Sequence, residues 1–151
     1  MAVRVDEAFE STSHLRSLGQ MEVGLFSSPA YLARHGRPRG PTDLGAHRAL
    51  YLASQQNWNL RGGLSEKPKL QFCSNRLEAL KILCLAGQGL ALLPLFLVRG
   101  EIEGNELVQL LDGFEPKPLN LVLATSPQRS ETNSSRLFQQ FLESRFRRLR
   151  L

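Results

Sequence analysis

Residues 85–94, LAGQGLALLP, decide the fold of this chain. A glycine just past a helix can adopt the left-handed conformation that closes the last turn without a Cβ clash, so Gly87 predicts a helix end. The apolar run after Gly89 does not alternate with polar residues, which is typical of a strand covered on both faces in a parallel sheet. Pro94 ends that strand and suits the first turn of another helix. The stretch predicts a helix, a tight turn and a buried strand of an α/β protein.

Strand-like and helix-like patterns alternate along the rest of the chain. Short apolar runs predict strands at residues 2–5, 15–18, 21–26, 48–53, 58–60, 70–73, 90–93, 107–111 and 119–124. Capping residues and helical spacing predict helices at residues 29–34, 42–46, 77–85 and 94–102 and from about residue 134. The expected caps are Ser28, Thr42 and Asn75, the last in a capping box with Glu78, and residues 61–69 are expected to be a polar hairpin loop. This alternation indicates the α/β class.

The composition is that of an ordinary globular protein, with 42% hydrophobic and 22% charged residues. No apolar run is long enough to span a bilayer, and residues 1–7 lack the apolar core of a signal peptide. We therefore expect a cytoplasmic protein with no membrane partner. Cys73 and Cys84 are too few for a disulfide framework and are expected to be structural thiols, Cys84 facing the core.

The net charge of +5 is concentrated at the C-terminus, where residues 143–151 contribute +3. Such a charge run is more often a solvated face than a base-reading surface. We expect no sequence-specific DNA recognition by this chain, and only weak, salt-dependent contact through the arginines of the tail.

No arrangement of residues typical of catalysis or of metal binding is found. The three histidines are far apart in sequence, and His47, beside Asp43-Leu44, is expected to hydrogen-bond at the end of a short turn. No Gly-x-Ser-x-Gly elbow is present, and Gly87-Gln88-Gly89 follows a helix rather than a strand, which excludes a dinucleotide loop. The sequence thus predicts no catalytic residue, no metal and no cofactor.

Two helix starts are candidates for ligand binding. Ser27-Ser28 and Ser74-Asn75 each follow a predicted strand and precede a predicted helix. The free N–H groups and the positive dipole end of a helix favour an anion or a polar ligand at such a position. The alternative is that these side chains only cap their helices. If both helix starts face the same crevice, ligand binding is favoured over capping alone.

Taken together, these segments resemble the C-terminal effector-binding domain of LysR-type transcriptional regulators. The resemblance rests on Val3-Arg4-Val5, SSPAYLARHG at 27–36, PTDLGAH at 41–47, the helix after Asn75, AGQGLALLP at 86–94, LVQLL at 107–111 and the closing amphipathic helix. These motifs follow the order of the family and extend over nearly the whole chain.

The resemblance implies a periplasmic-binding-protein-like fold of two lobes with a mixed sheet and a small effector in the cleft between them. Residues 1–22 would end the first lobe and cross over, 23–112 would form a complete second lobe, and 113–151 would cross back and close a partial first lobe. The family binds DNA through a separate N-terminal winged helix-turn-helix, which this sequence lacks, and its intact members form homo-oligomers. The missing half of the first lobe would leave apolar side chains of the last helix exposed.

The resemblance implies an effector site in the second lobe. Its expected residues are Ser27, Ser28, Ser74, Asn75, Arg76, Leu93 and Pro94, the last two forming part of its floor. A carboxylate would suit the site because a guanidinium favours bidentate contact with a carboxylate, unless Arg76 only points into solvent. Arg76 stands where the family often has Asp, Ser or Thr, so the effector is not identified. A stand-alone small-molecule binding protein of the periplasmic type is the alternative, and an enzyme has no supporting residues.

Overall fold

The computed structural model describes residues 2–6, 15–53, 58–61, 68–124 and 133–148. The strands are β1 (Ala2–Asp6), β2 (Leu15–Met21), β3 (Val23–Ser27), β4 (Arg48–Leu52), β5 (Lys69–Ser74), β6 (Leu90–Pro94), β7 (Val108–Leu110) and β8 (Leu119–Ala124). The helices are α1 (Pro29–His35), α2 (Leu77–Leu85), α3 (Leu95–Glu103) and α4 (Asn133–Arg148), with a 3₁₀-helix at Pro41–Ala46. Within the described ranges, no helix is long and apolar enough to cross a membrane.

The chain divides into two compact units, and the first comprises residues 1–22 with 118–151. Its sheet has the order β1-β8-β2, and both outer strands run antiparallel to β8. Helix α4 packs against β2, where Glu143 lies 3.7 Å from Arg16. Three large apolar side chains of α4 are exposed, as expected: Leu137 is 67% exposed, and Phe138 and Phe141 are each 52% exposed.

The second unit, residues 23–117, contains a five-stranded sheet of order β5-β4-β6-β3-β7. Strand β4 is parallel to β5 and β6, whereas β3 is antiparallel to β6 and β7. Strands β4 to β7 therefore run in one direction and β3 runs in the other. We call the edge where β4 to β7 end the carboxyl edge, and the edge where they begin, and where β3 ends, the amino edge.

The stretch at 85–94 folds as predicted. Gly87 follows α2 with φ +69°, and a Cβ there would lie 2.8 Å from the Arg34 side chain. All five residues of β6 are buried, although the sheet is mixed rather than parallel. Leu93 and Cys84 belong to the same core cluster, so Cys84 faces the core as expected, and burial raises the pKa of its thiol to about 12. The mixed α/β class is confirmed.

Three local predictions are wrong. Strand β2 continues through Gly19, because a bulge between Ser17 and Gly19 accommodates the glycine within the strand. Residues 58–60 form no strand, and Leu60 makes only an isolated bridge to Pro116. Among the described residues, β5 pairs with β4 in parallel and not with residues 58–60, so the predicted hairpin into β5 is not formed. Residues 62–67 of the predicted hairpin loop lie outside the described residues.

Candidate functional site

The structure separates the two groups of predicted site residues. Val23 is paired with Pro94 and Phe26 with Ala91, so the end of β3 lies beside the start of β6. Ser27 and Ser28 therefore lie at the amino edge. Ser74 is paired with Leu52 at the opposite, carboxyl edge. The two helix starts do not face one crevice, since β3 runs against its neighbours, and the prediction that they line the same site is wrong.

Both serines at the amino edge are engaged by their own fold. The Ser27 hydroxyl is fully buried and donates to the carbonyl of Gly89 at 3.2 Å. Ser28 is 2% exposed, and its hydroxyl accepts the N–H of Tyr31 at 3.3 Å, which makes Ser28 the N-cap of α1 as predicted. We conclude that these hydroxyls stabilise the helix and the turn.

The other motif residues of this edge form a hydrogen-bond network around Tyr31. The Tyr31 hydroxyl accepts the N–H of Arg48 at 2.9 Å and lies 3.3 Å from Nδ1 of His47, to which it can donate its proton. His35 stacks on the Tyr31 ring, with ring centroids 4.4 Å apart. Burial, and then the neighbouring His35, lower the pKa of His47. The expected structural role of His47 at the end of a turn is confirmed.

Asp43 caps the 3₁₀-helix that leads to His47. Its carboxylate accepts the N–H groups of Arg39 at 2.8 Å and of Gly40 at 3.3 Å. Gly40, rather than the predicted Thr42, is the N-cap. An acid three residues into the helix bonds back to free N–H groups at its start, which accounts for the Asp of this motif.

The carboxyl edge presents a different surface, an open pocket of about 680 Å³ between the ends of β4 and β5 and the start of α2. Its lining residues are Leu52, Ala53, Asn75, Arg76, Leu77 and Glu78. Parallel pairing of β4 with β5 brings Leu52 beside Ser74, and the chain then turns into α2. Ligands of open α/β sheets bind beyond the carboxyl ends of the strands, which is where this pocket lies.

The predicted capping box at Asn75 is wrong. Arg76 is the N-cap of α2, with φ −121° and ψ 120°, and makes no side-chain cap bond. The Ser74 hydroxyl accepts the Arg76 N–H at 3.1 Å instead, so the chain makes a tight turn before the helix and shifts the cap by one residue. Both Asn75 and Arg76 are exposed at the pocket, and the first N–H groups of α2 have no side-chain cap.

The pocket has one cationic, one amide and one acidic side chain against an apolar wall. Arg76 and the N-terminal dipole of α2 favour an anionic group, and the Asn75 amide can both donate and accept hydrogen bonds. Leu52 and Leu77 are partly buried and offer an apolar contact surface. The Glu78 carboxylate would repel a second negatively charged group on the same ligand. The arrangement suits a small ligand with one acidic group and an apolar body.

Leu93 and Pro94 reach the same edge but do not line this pocket. Leu93 has no exposed surface and belongs to the hydrophobic core, and Pro94 is buried between β6 and α3. Both residues therefore lie in the packing beneath the carboxyl edge. The geometry does not place them in contact with a ligand in this pocket, contrary to the prediction from the sequence.

Sequence reasoning missed four lining residues, Leu52, Ala53, Leu77 and Glu78. The positions of Leu52 and Ala53 could have been predicted. The sequence indicates a strand at residues 48–53, and adjacent parallel strands end at the same edge of a sheet. Among the residues that the structure describes, no group of three potential metal ligands comes together.

Residues 1–147 match the LysR substrate binding domain family. The HTH-type transcriptional regulator CrgA of Neisseria meningitidis is 32% identical over 116 residues, which are 74% of this chain and 39% of CrgA. The CrgA regulatory domain structure superposes with a TM-score of 0.72 at 27% identity, covering 95% of this chain and 74% of that one. A full-length variant of AphB gives a TM-score of 0.81 at 25% identity, covering 93% of this chain and 50% of that one.

The fold and these similarities define an effector-binding domain of the periplasmic-binding-protein-like class. The chain belongs to the LysR substrate binding domain family. It spans about two fifths of the length of the CrgA relative, whose name describes transcriptional regulation rather than an enzymatic activity.

Proposed function

We propose that this chain is the effector-sensing part of a LysR-type transcriptional regulator and binds a small carboxylate in the pocket at the carboxyl edge. One observation carries the proposal: Arg76, Asn75 and the uncapped start of α2 come together in a pocket whose other wall is apolar. The carboxylate would accept hydrogen bonds from the α2 N–H groups and pair with the Arg76 guanidinium.

In a complete regulator, we propose, sequence-specific DNA binding resides in a separate winged helix-turn-helix, and effector binding controls it. The similarity to HTH-type regulators supports this role over a stand-alone binding protein, which would use the same pocket. Assembly into homo-oligomers and a cytoplasmic location belong to the same proposal. The predicted domain boundaries after residues 22 and 112 stay a prediction.

The test is an NMR titration of this chain with benzoate, which combines one carboxylate with an apolar body. Substituting Arg76→Gln removes a charged hydrogen bond, which contributes about 1–3 kcal/mol, so the Kd should rise roughly fivefold or more. Arg99→Gln is the matched control, because Arg99 is an exposed arginine on α3 that does not line the pocket.

An unchanged Kd in a folded Arg76→Gln protein, or an equal rise in Arg99→Gln, would remove Arg76 from the site. Benzamide has nearly the same shape as benzoate but no charge, so it should bind more weakly. Equal affinity for the two compounds would contradict the preference for an anion.

A further inference from the structure

The amino edge of the second unit carries a row of basic side chains that the proposed effector site does not use. Arg48 begins β4 and Lys69 begins β5, and the two are paired across the parallel strands. Their Cα atoms therefore lie about 5 Å apart. Both side chains are exposed, and neither has an acidic partner among the described residues.

The backbone beneath this pair is held in place. The N–H of Arg48 donates to the Tyr31 hydroxyl at 2.9 Å, and the N–H of Lys69 donates to the carbonyl of His47 at 2.9 Å. The two cations are thus displayed by fixed strand ends, and only their long side chains must be ordered on binding.

Three more arginines lie along the same edge, in the connection from β3 to β4, which begins and ends there. Arg34 donates to the carbonyl of Gly87 at 2.9 Å, and Arg37 donates to the carbonyl of Gln109 at 3.0 Å. These carbonyls orient the guanidinium groups without neutralising them. Arg39, which precedes the 3₁₀-helix, is also exposed.

The acidic groups of this edge are Asp43 and a group between the last turn of α3 and β7. Asp43 is engaged by two backbone N–H groups of the connection. Near β7, Glu101 pairs with Lys81, whereas Glu103 and Glu106 are exposed. Among the described residues, the positive excess is therefore concentrated where β4 and β5 begin and in the connection that leads to β4.

We propose that this amino edge contacts the phosphate backbone of duplex DNA without reading its bases. Adjacent cations on flexible side chains, along one edge of a sheet, match a linear array of phosphates, whereas base recognition would require an element inserted into a groove. The contact would add affinity to a regulator already bound through its specific domain, and it lies at the edge opposite the effector pocket.

The experiment measures the affinity of the full chain for a random-sequence DNA duplex by fluorescence anisotropy at several salt concentrations. The double substitution Arg48→Gln/Lys69→Gln should lower the affinity at low salt several-fold. It should also reduce the slope of log K against log salt by about 1.8, since each phosphate contact contributes about 0.9. Arg99→Gln/Lys117→Gln removes the same charge elsewhere and should leave that slope nearly unchanged.

An equal loss in the control pair would show a general effect of net charge and overturn the proposal, as would the absence of duplex binding at low salt. Polyglutamate serves as a competitor: if it binds as tightly as DNA and depends on Arg48 and Lys69, the edge fits an acidic protein and the DNA assignment is wrong. Because benzoate binding uses the opposite edge, a failure here leaves the effector proposal intact.

Discussion

At the scale of single residues, the most recognisable motifs of this chain prove to be structural. Ser28 caps a helix, Asp43 closes a 3₁₀-helix, and Tyr31 and His47 join two segments at the amino edge. The pocket is lined by Asn75 and Arg76, which the sequence marks as candidates, and by residues such as Ala53, which it does not. A polar residue at a helix start has the same sequence signature whether it caps or binds, and only its hydrogen-bond partners distinguish the two roles.

His47 makes the stability of this edge dependent on pH. Burial lowers its pKa from 6.5, so the unfolded chain takes up a proton before the folded chain does. The free energy of unfolding should therefore fall as the pH drops below about 6.5 and continue to fall until the folded-state pKa is passed. Denaturant titrations at pH 7.5 and 5.5 measure this loss, which should appear as a lower denaturant concentration at the midpoint of unfolding at pH 5.5.

Two substitutions identify the responsible group. In His47→Asn, the amide oxygen can still accept from Tyr31 but does not titrate, so the loss at pH 5.5 should shrink. His35→Asn should keep most of the loss, because burial rather than His35 is the larger cause of the lowered pKa. Equal pH dependence in His47→Asn and the unsubstituted protein would contradict this account.

At the scale of elements, patterns in the sequence predicted nearly every helix and strand but not their directions. The buried strand after Gly89 follows from an apolar run, and α1 follows from Ser28-Pro29. Whether β3 runs with or against β6 depends on pairing between residues far apart in the chain, for example Val23 with Pro94. That single reversal places Ser27 and Ser28 at the edge opposite the pocket, so two of the seven predicted site residues lie away from it.

Helix α4 packs on β2 with one side and exposes much of its apolar stripe. Leu137 and Phe141 lie on the exposed side, whereas Gln139 is only 2% exposed. We expect this chain to self-associate through that side, since a contiguous apolar patch favours association. Leu137→Gln/Phe141→Gln should shift sedimentation toward the monomer and change the free energy of unfolding by no more than roughly 0.5 kcal/mol.

Ile82→Gln is the control for this prediction, because Ile82 is 64% exposed on α2 in the other unit. It removes exposed apolar surface away from α4 and should leave the association unchanged. A monodisperse monomer before any substitution would show that the exposed side of α4 does not drive association.

At the scale of the whole molecule, the two units differ in the size of their sheets and in the candidate binding surfaces that their described residues form. Residues 23–117 contain a five-stranded sheet with its own core, the proposed effector pocket and the basic amino edge. The other unit contributes a three-stranded sheet and α4. We therefore assign both proposed binding activities to the second unit, at opposite edges of one sheet.

We propose that ligands bind at the carboxyl edge and that the serines of the amino edge are structural. The most direct test maps benzoate binding on this chain by the shifts of its backbone amide signals. We expect saturable shifts at Leu52, Ala53 and residues 75–78, with little change at residues 27–31. The largest shifts at Ser27 and Ser28, or no saturable shift at residues 75–78, would contradict it.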